Sequence, residues 1–269
     1  MQGSWGTLAL LGAGAGLACQ PAASPNPRVE RAPVVAASPD PGGEEEPEGR
    51  RIPSLDSAKL AESNPDLDRR SVCALVDPPP GMVDLGALIP SAVLVVGYHR
   101  ADNFTGAALP GYEVPGIWLD VRAAEALVSV AARLAARGGW RLIFYDGYRP
   151  RRASVAMVEW AERADRLDLL RDGWVAARSL HNRGLAIDLG LADGDGVPLD
   201  MGSGWDAFES ASALRGVDGE PLRLRLSLRA AMMVEGFQPY RREWWHFSYP
   251  TPTLAPSWDR AYAGIPGCE

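Results

Sequence analysis

Ser179-Leu-His-Asn-Arg-Gly-Leu-Ala-Ile-Asp188, in one-letter form SLHNRGLAID, joins two kinds of chain. Its first half is polar and closes on a glycine. Its second half is apolar and runs into Ile187-Asp-Leu-Gly-Leu191, which reads as a strand. The chain has only 3 histidines, and His181 stands in the polar half, a short distance before Asp188. If His181 lies on a loop entering the strand around Asp188, both side chains reach one point. A catalytic zinc takes three protein ligands and keeps one position open for water. The third donor has to come from elsewhere, and His246 is available. It lies on Glu243-Trp-Trp-His-Phe-Ser-Tyr249, whose aromatic alternation reads as a strand, with Glu243 close enough to take a proton from water. A structural histidine satisfied by ordinary hydrogen bonds fits the same spacing, and spacing alone leaves both readings open.

Working outward, Ala92–Tyr98 and Trp140–Asp146 read as strands, and Asp120 to Arg137 as an amphipathic helix ended by Gly138-Gly139. Pro150 opens a second helix, through about Asp168, because proline is tolerated in a first turn. Val197–Leu199 reads as a strand paired with 187–191 across Asp193-Gly-Asp-Gly196. That run lacks the later ligands of a calcium loop and reads as a hairpin turn. Leu222 to Glu235 is a helix, with Arg223 and Arg225 on its solvated edge. Trp244 and Trp245 should divide by strand alternation, one packed and one near the site. Helices and strands mix without a steady βαβ alternation. The expectation is an α+β fold: a single catalytic domain with a mainly antiparallel sheet and flanking helices.

The chain has 269 residues, a net charge of -7 and 46% hydrophobic residues, which suits one domain of moderate size with extensions. The acidic balance, with no Lys/Arg block, argues against nucleic acid or an anionic membrane surface as partner. Residues 1–19 read as a signal peptide, because Leu8 to Cys19 is an apolar run too short to span a bilayer. Leu17-Ala-Cys-Gln20 resembles a bacterial lipoprotein cleavage box, which would lipidate Cys19. Residues 20–65, rich in Pro, Ala and Glu, read as a disordered linker, and 66–269 as the catalytic domain. In an exported chain, Cys73 and Cys268 are either a disulfide tying the two ends or two free thiols. The expected location is the periplasm or cell envelope, with membrane contact only through the N-terminal anchor.

Ser179-x-His181-x-x-Gly184-x-Ala186-x-Asp188, followed by Glu243-x-Trp245-His246, resembles the signature of the zinc D-alanyl-D-alanine peptidases. Asp102–Gly106, Gly111–Val114, Asp146-Gly-Tyr-Arg-Pro150, Met201–Asp206 and the doubled tryptophan before His246 are similar to its dipeptidase branch. That branch is associated with vancomycin resistance and cell-wall turnover. The likeness runs from about Tyr98 to Tyr249. It implies a fold of the zinc D-Ala-D-Ala peptidase, hedgehog-like kind. It also implies one Zn2+ per chain held by His181, Asp188 and His246. Glu243 would be the catalytic acid/base, and Arg149 the holder of the scissile carbonyl oxygen and the oxyanion. Ser179, Asp206 and Tyr98 would surround the ammonium of a small dipeptide substrate. The implied reaction is zinc-dependent hydrolysis of D-Ala-D-Ala, in cell-wall peptide turnover or D-Ala salvage. A D,D-carboxypeptidase or L,D-endopeptidase acting on peptidoglycan stem peptides would share the zinc site but lose the ammonium clamp, and Asp206 argues against it. A binding module without catalysis would be expected to lack Glu243 or Arg149. Without the resemblance, Arg149 is a helix-start arginine paired with an acid, Asp206 a turn residue and Ser179 a cap. Two residues depart from the pattern: His99, read as a local polar or pocket-rim group, and Leu180, where a small polar residue is usual.

Overall fold

The computed structural model describes residues 76–264. The expected signal segment and linker, with Cys19, Cys73 and Cys268, lie outside the described residues. β1 (Met82–Asp84) leads directly into the single turn α1 (Leu85–Leu88), started by Asp84, whose Oδ1 accepts from Gly86 N at 2.8 Å. β2 (Val93–Leu94) and β3 (Trp118–Asp120) precede α2 (Val121–Gly138) and β4 (Arg141–Asp146). Next come α3 (Arg151–Arg163), α4 (Leu167–Arg171) and β5 (Ala186–Ala192). The last elements are α5 (Gly219–Val234), β6 (Gln238–Pro239) and β7 (His246–Ser248).

The sheet that carries the site has five strands in the order β2-β4-β5-β7-β6. Only the β2–β4 pair is parallel, so the α+β expectation with a mainly antiparallel sheet holds. β1 and β3 form a separate antiparallel pair. β5 is buried at every position and apolar apart from Asp188. α2 packs on β4, α5 packs on β5, and the two helices contact each other, which makes a two-layer arrangement around one core.

α2 forms where its pattern says it should. The Asp120 carboxylate accepts from Arg122 N at 3.0 Å and satisfies a free first-turn donor. Ala123, Ala124, Leu127, Val130 and Leu134 recur at helical spacing and are fully buried. Gly139 takes φ 67°, a left-handed C-cap that only glycine adopts without strain.

Four expected elements come out shorter. Ala92–Tyr98 keeps only Val93–Leu94 in the sheet, and Gly97–His99 turns into a single 3-10 turn. A Cβ on Gly97 would sit 3.0 Å from the Trp205 ring, so the chain leaves the sheet where the indole crosses it. The helix expected to reach Asp168 breaks after Arg163, where Asp165 takes φ 56°, and restarts as α4. Val197–Leu199 contributes one bridge, Pro198 to Ala192, because proline cannot donate to a ladder. Of Glu243–Tyr249 only His246–Ser248 is regular strand. Glu243 and the two tryptophans precede it, and Trp244 and Trp245 are both buried in the core rather than divided between core and site. Asp193–Gly196 is the expected turn: Gly196 N donates to Asp193 O, and the Asp193 carboxylate accepts from Asp195 N and Val197 N.

Candidate active site

Three neighbouring strands place acids and imidazoles side by side. Asp146 at the end of β4 pairs with Asp188 of β5, and Asp188 pairs with His246 of β7. His181 is delivered separately, by a 3-10 turn over Leu180–Arg183. Ser179 caps this turn: its Oγ accepts from His181 N at 3.2 Å, while Asn182 Oδ1 accepts from Ser179 N at 3.0 Å. Gly184 ends the turn at φ 65°, and a Cβ there would meet Met82 Cε at 2.8 Å and Asp120 N at 3.1 Å. This glycine therefore serves both the turn and the close approach of β3. The quoted stretch thus folds as capped turn, glycine, strand, and the turn aims His181 while the strand aims Asp188.

The donors converge. His181 Nε2 lies 3.1 Å from His246 Nδ1 and 3.4 Å from Asp188 Oδ1, and His246 Nδ1 lies 3.0 Å from the same oxygen. Zinc with tetrahedral bonds of about 2.0–2.1 Å would set its ligand atoms about 3.3 Å apart, so the triangle fits. His181 Nδ1 lies 2.7 Å from Gly147 O. Donation to that carbonyl leaves the Nε2 lone pair facing the triangle, the usual way a ligating histidine is oriented. Burial lowers the pKa of His246 despite Asp188, which favours the neutral, ligating imidazole. Burial works to raise the Asp188 carboxyl, but His181 and His246 outweigh it and hold it well below the usual range. Two imidazole nitrogens and one ionised carboxylate oxygen are a donor set suited to a divalent metal.

Around the triangle lies a cavity of about 230 Å³ lined by Tyr98, Arg149, Ser179, His181, Asp188, Asp206, Glu243 and His246. Every site residue expected from the sequence, the three cysteines apart, therefore faces one space. Glu243 Oε2 lies 3.7 Å from His246 Nδ1. Burial, then the charges of Asp188 and Asp206, push its pKa well above the usual carboxylate value. Arg149 follows the Asp146-Gly-Tyr corner between β4 and α3. Its Nε and Nη2 donate to Asp146 Oδ2 at 2.9 and 2.8 Å, and Nη2 lies 3.8 Å from Asp188 Oδ2. Burial alone would lower the Arg149 pKa. Asp146 first, then Tyr98 and Tyr112, more than reverse this and keep the guanidinium charged.

At another part of the wall, Tyr98 Oη donates to Asp206 Oδ2 at 2.5 Å. Burial and Asp188 push the Asp206 carboxyl up to about 8. Asp206 takes φ 57° and Phe208 φ 50°, a left-handed backbone that side-chain-bearing residues hold only where their surroundings impose it. Phe104, Trp174, Phe208 and Tyr240 add an aromatic part to the lining.

Several residues escaped the sequence reading. Asp146 is 0% exposed, bonds Arg149, accepts from Tyr112 Oη at 2.6 Å and lies 3.4 Å from His181 Nδ1. Both Asp146 and Tyr112 lay inside quoted motifs, Asp-Gly-Tyr-Arg-Pro and Gly-Tyr-Glu-Val, without a role. The signal that could have found Asp146 was its place before Arg149 on the same corner. The aromatic wall carried no such signal. His99 proves to be a local polar group, its Nδ1 against Val96 O, and neither it nor Leu180 lines the cavity. Arg225, expected on a solvated edge, is buried.

A family described as D-ala-D-ala dipeptidase matches residues 80–263. The D-alanyl-D-alanine dipeptidase of Enterococcus faecium is 38% identical over 166 residues, covering 56% of this chain and 82% of that protein. The D-alanyl-D-alanine dipeptidase of Escherichia coli K12 is 35% identical over 177 residues, covering 65% of this chain and 88% of that protein. Among solved structures, the vancomycin resistance D,D-dipeptidase VanXYg, in complex with a D-Ala-D-Ala phosphinate analogue, aligns with a TM-score of 0.35 at 22% identity. That alignment covers 62% of this chain and 66% of that one.

Proposed function

The chain belongs to the D-alanyl-D-alanine dipeptidase family of zinc peptidases and is a hydrolase; from that premise we propose that it cleaves the free D-Ala-D-Ala dipeptide with one zinc held by His181, Asp188 and His246. The observation that carries the proposal is the shared cavity: a three-donor triangle, Glu243 and Arg149 face the same small space as the Tyr98–Asp206 pair. Zinc, when bound, supplies a Lewis acid that polarises the scissile carbonyl and acidifies the attacking water.

The chain's own groups account for the rest. Glu243 takes the proton of the attacking water. Its raised pKa makes it a stronger base than an exposed carboxylate and lets it hand that proton to the leaving amine. Arg149, fixed by Asp146, offers donors and a permanent charge where the carbonyl oxygen becomes negative. Removing a donor of this kind costs about 3–4 kcal/mol of transition-state stabilisation. The Asp206 carboxylate receives the substrate's free ammonium, assisted by Tyr98 and by Ser179 at the rim. A neutral amide at that point would leave a buried acid without its cation, and this rejects acylated or longer peptides.

The deciding experiment offers the zinc-loaded protein free D-Ala-D-Ala beside its N-acetylated form and follows amine release. Cleavage of the free dipeptide alone is expected. Cleavage of the acylated form at comparable kcat/KM would move the protein to stem-peptide carboxypeptidase chemistry. We further propose, on the sequence of residues 1–65 alone, an exported protein tethered through Cys19 that serves cell-wall turnover or D-Ala salvage. Labelling by a clickable fatty acid, abolished in Cys19→Ser, tests the anchor.

A further inference from the structure

Arg225 sits in the middle of α5, 1% exposed. Among the described residues its guanidinium bonds carbonyls and a hydroxyl instead of a carboxylate. Nε donates to Met201 O at 2.6 Å, Nη1 donates to Ala211 O and Ala213 O at 2.7 Å each, and Nη2 donates to Ser203 Oγ at 3.1 Å. Burial lowers its pKa to about 10, so the cation persists at neutral pH. A buried charge hydrogen-bonded by neutral acceptors, with Asp200 and Glu209 acting on it only through their charge, is an expensive way to fill a helix face, and its acceptors are not scattered. They flank Trp205, Asp206 and Phe208 on both sides and close that loop on itself.

The loop needs such a closure, since Asp206 and Phe208 both hold left-handed backbones, at φ 57° and 50°. The same guanidinium lies over the Trp244 ring at 5.5 Å. Ser203 Oγ also accepts from Trp244 Nε1 at 3.0 Å, and Trp244 N donates to Ser212 O at 2.9 Å. Trp244 is the neighbour of Glu243. One side chain therefore ties together the loop that presents Asp206 and the segment that presents Glu243.

We propose that Arg225 is a positioning residue for the dipeptidase reaction, locking the 201–213 loop to Trp244 and so setting the separation between the ammonium-binding carboxylate of Asp206 and the proton-transferring carboxylate of Glu243. This rests on the dipeptidase reading above for its kinetic consequence, and on the hydrogen bonds alone for its structural one. A lysine cannot replace the fork, because a single ammonium cannot span acceptors on both sides of the loop.

Arg225→Lys and Arg225→Met, as full-length zinc-loaded chains, are compared with wild type for metal content, kinetics on free and N-acetylated D-Ala-D-Ala, and amide hydrogen exchange. Arg225→Lys is expected to keep its zinc, raise KM for the free dipeptide about tenfold and lower kcat by no more than about threefold. Amides of residues 202–212 are expected to exchange faster, while β5 keeps its protection. Wild-type kinetics and unchanged exchange in Arg225→Lys would overturn the proposal. So would zinc loss with faster exchange throughout β5, which marks a general structural role. If Arg225→Met fails to fold, Arg225→Lys alone decides. If the wild-type chain cleaves neither dipeptide, the substrate reading falls, and exchange of 202–212 still decides the role of Arg225.

Discussion

Replacing Asp206 by Asn should weaken catalysis and strengthen the fold at the same time. Asn keeps an oxygen to accept from Tyr98 Oη, now 2.5 Å from Asp206 Oδ2, and removes the charge. On the catalytic side, the ammonium of the dipeptide loses a charge-assisted hydrogen bond worth about 1.5–3 kcal/mol. That corresponds to a fall of about 10- to 150-fold in kcat/KM for free D-Ala-D-Ala. On the stability side, burial and then Asp188 push the folded carboxyl up to about 8 from the usual 3.8. The unfolded chain therefore releases its proton first, and the folded state loses stability as pH rises from about 4 to 8. An Asn at this position has no such loss. The full displacement corresponds to about 6 kcal/mol, an upper limit that relaxation of the surroundings around an ionised carboxylate reduces. A gain of about 1–2 kcal/mol, or roughly 2–8 °C in Tm, is expected for the metal-free Asn variant at pH 8. The gain should shrink to nothing near pH 4. Thermal melts of the metal-free proteins across that range, beside steady-state kinetics of the loaded ones, measure both arms. An Asn variant that is less stable than wild type at pH 8, or that cleaves the free dipeptide unimpaired, would refute the assignment of Asp206 as a strained ammonium receptor.

Glu243→Ala should keep its zinc by elemental analysis and lose about 10²–10⁴-fold in kcat, since the proton acceptor is gone and the three donors remain. Arg149→Lys keeps a charge but not the fork held by Asp146, so kcat should drop by about 10²-fold with KM changed far less, read from saturation curves. Removing zinc with a chelator, or replacing His181 by Ala, should abolish amine release and lower Tm by about 5–10 °C at metal concentrations near a hundred times Kd; added zinc restores only the chelated wild type. Gly184→Ala places a methyl 2.8 Å from Met82 Cε at φ 65°, which should cost about 1–2 kcal/mol in denaturant melts and weaken zinc in competition with a chelating dye, because Gly184 N bonds His181 O.

What the sequence made legible follows from chemistry that is rare in this chain. With only 3 histidines, the donor set had few solutions, and a glycine between polar and apolar halves marked the turn that aims His181. Long periodic elements such as α2 and β5 were legible because many residues vote for them. β6 was not, and β2 and β7 were read as strands but too long, since two or three residues paired by the sheet carry no period of their own to mark their ends. Arg225 was misread for a related reason. A helix pattern assigns a charged residue to solvent, and nothing local reveals that distant carbonyls at 201, 211 and 213 will receive its donors. Asp146 was passed over because a carboxylate before a glycine corner looks like a turn residue until β5 packs beside it and buries it.

Charge makes these residues a single device. Asp188, Asp206 and Glu243 line one cavity with Arg149, and Asp146 is buried behind the Arg149 guanidinium. Burial raises three of these carboxyls, while the imidazoles pull Asp188 down. A fold selected for stability alone would not gather four acids about one arginine, because each resists ionisation in the presence of the others. The arrangement becomes favourable when cations enter. A divalent ion at the triangle answers Asp188 and lowers the cost of ionising its neighbours, and the dipeptide's ammonium then answers Asp206. Among the described residues no Lys or Arg hydrogen-bonds Glu243, and its pKa stays raised despite Arg149, which suits a group that accepts a proton and gives it back. The excess of buried negative charge therefore supports both halves of the proposed function, zinc on one side and a free amino terminus on the other.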